Sequence, residues 1–221
     1  MGNQYLLSLW PDFLKAFWET FQMLGISLVL SIDAGFVLGL LLFASDRGLF
    51  WENRLLHNIS GFLINVIRST PFVILLVLLL PLTQRLTGTT IGPVAASVSL
   101  TVAAIVFYAR LVQASLCEVD RGVIEAATAF GASPFQIIKE VLLPEAFPGL
   151  VRGVTVTAIS LVGYSAMAGI VGGGGVGDLA IRFGYYRYRT DVMLVTVVVL
   201  IIIVQVIQII GDKIARDADK K

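Results

Sequence analysis

Five stretches of the chain are long and apolar enough to cross a bilayer, which takes about 20 consecutive, mostly apolar residues in a helix. Residues 20–45 are interrupted only by Asp33, and residues 55–84 only by Arg68, with His57 near the start. Residues 86–109 and 153–177 hold no charge at all. Residues 192–210 contain only Thr196, Gln205 and Gln208 as polar side chains. None of these runs shows the two-residue alternation of a membrane β-barrel. The pattern predicts an all-α integral membrane protein forming a single transmembrane domain over residues 1–221, with spans at about 18–45, 57–83, 88–114, 150–172 and 190–211. The first run is too long, and its flank too poor in basic residues, for a cleaved signal peptide.

Between the third and fourth runs, residues 119–144 are the least apolar part of the middle of the chain. Asp120 is placed to cap a helix beginning near Arg121, and Gly131 to stop it. Val123, Ile124, Ala127 and Phe130 share one face of that helix. Ser133, Pro134 and Gln136 then have the spacing of a capping box with proline in the first turn. The second short helix is expected to reach Leu143, where Pro144 ends or kinks it.

Basic residues orient the molecule. Five spans put the termini on opposite sides. With the C-terminus inside, ten basic residues are cytoplasmic (Arg47, Arg54, Arg110, Arg121, Lys139, Arg152, Lys213, Arg216, Lys220 and Lys221). Five then lie outside: Lys15, Arg85, Arg182, Arg187 and Arg189. The expectation is N-outside and C-inside, which makes the capped loop cytoplasmic.

Composition narrows the chemistry. Of the 221 residues 57% are hydrophobic and only 14% charged, and 16 basic residues nearly balance 15 acidic ones, so no basic field for nucleic acid exists. One cysteine and one histidine leave neither a disulfide framework nor a histidine-rich metal site. The run from Gly172 to Gly177 matches G-x-G-x-x-G formally, but it follows a membrane span and opens no βαβ unit. No G-x-x-x-x-G-K-[ST] string occurs. A serine protease built on Ser165 would need a base within hydrogen-bond reach, and the lone His57 is expected near the far end of another span.

The loop carries a recognisable pattern. Glu125, Ala126 and Ala127, then Gly131, then Val141, Leu143 and Pro144 resemble the EAA motif of ABC importer permeases, with valine replacing isoleucine. Residues 68–72, 143–150 and 162–180 are also similar to the methionine-importing branch of that family. The resemblance covers residues 18–216. It implies a homodimer in a bacterial inner membrane, two ABC ATPase subunits docked on the loop, and an external methionine-binding protein. It implies no catalytic residue, cofactor or metal on this chain, ATP and magnesium residing on the partner ATPase. The cargo it implies is D- and L-methionine, moved by alternating access; another amino acid or small solute, or a passive channel, is the alternative.

Three further groups of residues stand out. Tyr164, Ser165 and Met167 are candidates for a pore or gate, although the small residues around them equally suit helix packing. Asp33 and Arg68 each cost about 2.5–3.5 kcal/mol at the bilayer centre and lie at similar depth, so they are a candidate charge pair; the alternative is that Arg68 snorkels while Pro71 kinks the span. Arg182, Tyr185, Tyr186, Arg187, Tyr188 and Arg189 could dock a binding protein or form an interfacial aromatic belt.

Overall fold

The computed structural model describes residues 9–219, which leaves Lys220 and Lys221, both counted among the inner charges, outside the described residues. The described chain is helical: α1 (Trp10–Ala44), α2 (Arg54–Ser69), α3 (Phe72–Leu78), α4 (Leu80–Thr87), α5 (Pro93–Cys117), α6 (Arg121–Ala129), α7 (Pro134–Val171), α8 (Gly175–Leu179) and α9 (Thr190–Ala218). Helices α1, α5, α7 and α9 are each long and apolar enough to span a membrane. A fifth span requires α2 and α3 together, and these are bent by 106° at residues 70–71. Pro71 removes a backbone donor and forces Thr70 into extended backbone, with ψ of 124°, so the helix cannot run straight through.

Helix α1 packs most extensively against α5, and the sequence shows how they come close. Thr20, Ser27, Ser31, Gly35 and Gly39 recur along the buried face of α1. A Cβ on Gly39 would lie 2.5 Å from the Ala109 carbonyl oxygen and 2.6 Å from Val112 Cβ. Small residues at this spacing let two backbones approach in a setting where lipid gives no hydrophobic drive for association. Gly211 does the same for α9, its Cα facing Thr155 of α7. Elsewhere α9 is mostly exposed or half-buried along its apolar length, with Val192 and Thr196 buried, as expected of a helix that turns one face to lipid.

The two ends of the bundle differ. At one, Leu9, Ala16, Val176, Leu179, Phe183 and Val192 gather around α8. At the other, Phe43, Tyr108, Val112, Leu116, Ile124, Ile137 and Leu142 form the core under the capped loop. Asp219 lies at this second end, its carboxylate 3.5 Å from the Arg152 guanidinium.

Pro144 does not end its helix. Residues Ile137–Leu142 form a π-helical turn, and the Leu143 N–H donates to the Ile138 carbonyl five residues back. The wider turn makes room for the Pro144 ring, which would otherwise strike the Glu140 carbonyl, and α7 continues past Pro144, with Pro148 inside it, to Val171. The fourth span and the second loop helix are therefore one rod.

Candidate functional site

Local chemistry builds the loop. The Asp120 carboxylate accepts from the Gly122 N–H at 2.6 Å. At the other end of α6, the Gly131 N–H donates to Thr128 and the Ala132 N–H to Ala127, at 2.9 and 3.1 Å. That double closure is a Schellman motif, and it requires the left-handed φ of 81° that glycine adopts without strain. Ser133 and Gln136 cap α7 reciprocally, the Ser133 N–H donating to Gln136 Oε1 at 2.8 Å. These bonds fix the turn between the helices as a rigid corner.

Only one side of α6 is used internally. Ile124 is buried against the core, while Glu125 and Ala126 are exposed and Ala127 half-buried. Of the residues placed on one face from the sequence, only Ile124 is buried: Val123 is exposed, and Phe130, at the C-cap where the chain leaves helical register, is 92% exposed. Phe135 is 69% exposed on the first turn of α7. Phe130 and Phe135 are thus two uncovered large apolar side chains on the same loop as Glu125 and Ala126, of the kind that marks a contact surface. Val141 and Leu143 are half-buried behind it, and Pro144 is exposed.

The pore candidates separate. Ser165 is 2% exposed and its hydroxyl donates to Val162 of its own helix at 2.8 Å, so it faces the interior and lines no open surface. Met167, two residues on and about 200° around the helix, is exposed beside Gly163 and Ile170. Tyr164 is half-buried and stacks on Phe72 of α3, ring centroids 4.6 Å apart. Asp33 and Arg68 are both exposed, and no ion pair joins them. Arg110, assigned from sequence to the loop charges, instead clamps two helices: it donates to Asn65 Oδ1 at 3.0 Å, Gln113 Oε1 at 2.7 Å and the Gly61 carbonyl at 3.3 Å. Its position at the end of an uncharged run hid that role.

At the opposite end, the arginines of the loop are engaged within it. Arg182 pairs with Asp178 at 3.1 Å, Arg187 lies over the buried Phe183 ring at 4.5 Å from its centroid, and Arg189 pairs with Asp191. Tyr185, Tyr186 and Tyr188 remain exposed, Tyr188 at 89%. Burial pushes the Asp178 carboxyl above the ordinary carboxylate range, opposed by Arg182 and reinforced by the nearby charge of Glu19. The glycine run cradles no phosphate: its Gly175 N–H donates to Glu19 Oε2 at 2.8 Å and the Val176 N–H to Thr20 Oγ1 at 2.9 Å.

Residues 35–220 match the family model of the binding-protein-dependent transport system inner membrane component. The chain is 47% identical to the probable D-methionine transport system permease protein MetI of Vibrio cholerae, over 94% of this chain and 92% of that one. It is also 47% identical to the methionine import system permease protein MetP of Bacillus subtilis, over 82% of each. Among solved structures it superimposes on a chain of the inward-facing MetNI methionine ABC transporter with a TM-score of 0.94 and 43% identity, covering 96% of this chain and 99% of that one. An amino acid ABC transporter crystallised with histidines shares the fold at a TM-score of 0.80 and 18% identity, over 97% of both chains. The chain belongs to the family of binding-protein-dependent transport system inner membrane components.

Proposed function

We propose that this chain is the membrane-spanning subunit of a methionine importer in a bacterial inner membrane, working as a homodimer with two separate ATPase subunits and an external binding protein. The observation that carries the reading is its 47% identity, over nearly the whole chain, to a D-methionine permease. The chain itself performs no nucleotide chemistry in this scheme, and ATP and magnesium stay on the ATPase.

In this reading Leu9 is outside and Asp219 inside, in keeping with the excess of basic residues at the loop end. Glu125, Ala126 and Phe130 then meet the ATPase, and the capped corner carries its movement into α7. Rigid coupling of this kind is what converts partner closure into a switch between two packed states. Met167 and Tyr164 line the moving surface, and Tyr185, Tyr186 and Tyr188 receive the binding protein.

Reconstitution tests the whole reading. Vesicles holding the permease, ATPase and binding protein should accumulate labelled L- and D-methionine only with ATP. Accumulation without ATP would identify a passive channel, and accumulation of a different amino acid would reassign the cargo.

A further inference from the structure

Where α2 turns into α3, the bend opens a cavity of about 160 Å³ against α5 and α7. Its lining includes Arg68, Thr70, Phe72, Val106, Phe107 and Tyr164. Arg68 stands 14 residues into α2 from Arg54, about 21 Å along the helix axis at 1.5 Å per residue, next to the bend that joins α2 to α3. Other arginines in or beside the spans have found partners: Arg110 holds Asn65 and Gln113, Arg152 holds Asp219, Arg189 holds Asp191. Arg68 makes no hydrogen bond or ion pair with any described residue, and no carboxylate lines its cavity. A guanidinium beside a cavity, with no partner among the described residues, is placed to receive an anionic group.

The remaining walls narrow the anion. Phe72 and Tyr164 stack with their planes 15° apart, and these two rings, Phe107 and Arg68 line the same cavity. The space is smaller than the roughly 300–1,000 Å³ of sites for drug-sized molecules. Guanidinium and carboxylate match as a two-pronged donor and acceptor, and thioether sulfur packs well at aromatic edges.

We infer that this cavity is a transit site for a free amino acid with an apolar side chain. Arg68 donates to its α-carboxylate, and Phe72, Phe107 and Tyr164 flank the side chain. The inference rests on the proposed methionine transport and adds where the cargo is held. Because no protein carboxylate is present, the α-ammonium goes unread: the site recognises the acid and ignores the amine.

The test measures binding of labelled L-methionine to the permease–ATPase complex, without binding protein, in nanodiscs of zwitterionic lipid. N-formyl-L-methionine should compete as methionine does, and L-methioninol, which lacks the carboxylate, should not. Arg68→Gln should weaken binding about tenfold or more, and Arg68→Lys, which keeps the charge and loses the fork, by less. Assembly of each variant is checked by size-exclusion chromatography, and the methioninol comparison needs only the wild-type protein. Equal competition by methioninol, or unchanged binding in Arg68→Gln, overturns the inference. So does displacement of methionine by added anionic lipid, which would make Arg68 a headgroup site. ATP-driven uptake by the same purified wild-type complex, reconstituted into vesicles together with the binding protein, separates the two readings. Uptake with no retained methionine removes the cavity alone; absence of both uptake and binding removes methionine transport as well.

Discussion

Glu19 of α1 and Gly175 at the start of α8, 156 residues apart, are joined by a 2.8 Å hydrogen bond from backbone N–H to carboxylate. Gly174 and Gly175 both have left-handed φ, at 77° and 89°, which turns the donor toward α1. Lys15, one turn before Glu19, steadies the carboxylate from 3.8 Å. The glycine run is therefore a clasp between the first helix and the segment after α7, with an internal anion in place.

Removing the clasp should be felt as lost stability. Glu19→Ala strands a partly buried donor, which costs about 1–3 kcal/mol, while Glu19→Gln keeps an acceptor and should cost less. Thermal unfolding of the detergent-solubilised complex measures the difference; equal melting temperatures for both variants would show that the bond contributes nothing.

The α1–α5 contact predicts a strongly position-dependent glycine series. Gly39→Ala forces a methyl group against the Ala109 carbonyl and should destabilise by about 1–3 kcal/mol, as overpacking does. Gly25→Ala on the same helix meets nothing within 4 Å and should be neutral or slightly stabilising, since alanine is the better helix former. The same melting experiment ranks them.

Gly131 tests the rigid corner. Gly131→Ala imposes a side chain on a left-handed residue, at about 1–2 kcal/mol, and should loosen the Schellman closure. The expected signature is a lower ratio of methionine transported to ATP hydrolysed, with the membrane bundle still assembled. An unchanged ratio would mean that the corner's stiffness does not matter to coupling.

Charge and surface on α6 can be separated. Glu125→Arg should reduce co-purification of the ATPase by reversing a contact charge. Phe130→Ala removes an exposed anchor and should weaken the same association by roughly tenfold if it behaves as an interface hot spot. Retention of full affinity in both variants would place the ATPase elsewhere.

The caps at Asp120, Gly131, Ser133 and Gln136 were legible because each is a conversation between residues two to five apart. The same local reasoning failed at Pro144, since a proline's clash can be relieved by widening the turn before it, and composition does not announce a π turn. It failed at Phe130 because face assignment assumes helical register up to the last residue. Ser165 and Met167 could not be told apart from sequence, because which side of α7 is buried depends on how the other helices pack on it. The bend at Pro71 was foreseeable as a kink, but its angle, and the meeting of Arg68 with Tyr164 across 96 residues of sequence, depend on how α5 and α7 pack between them.

The unbroken helix from Pro134 to Tyr164 has a mechanical meaning. Thirty residues at 1.5 Å each make a lever about 45 Å long, with its base in the loop. A tilt of only about 5° at the base carries the far end sideways by about 4 Å over that length. Such a stroke is comparable with the separation of the Phe72 and Tyr164 rings. A small movement of the corner is therefore enough to pull that aromatic stack apart or press it shut.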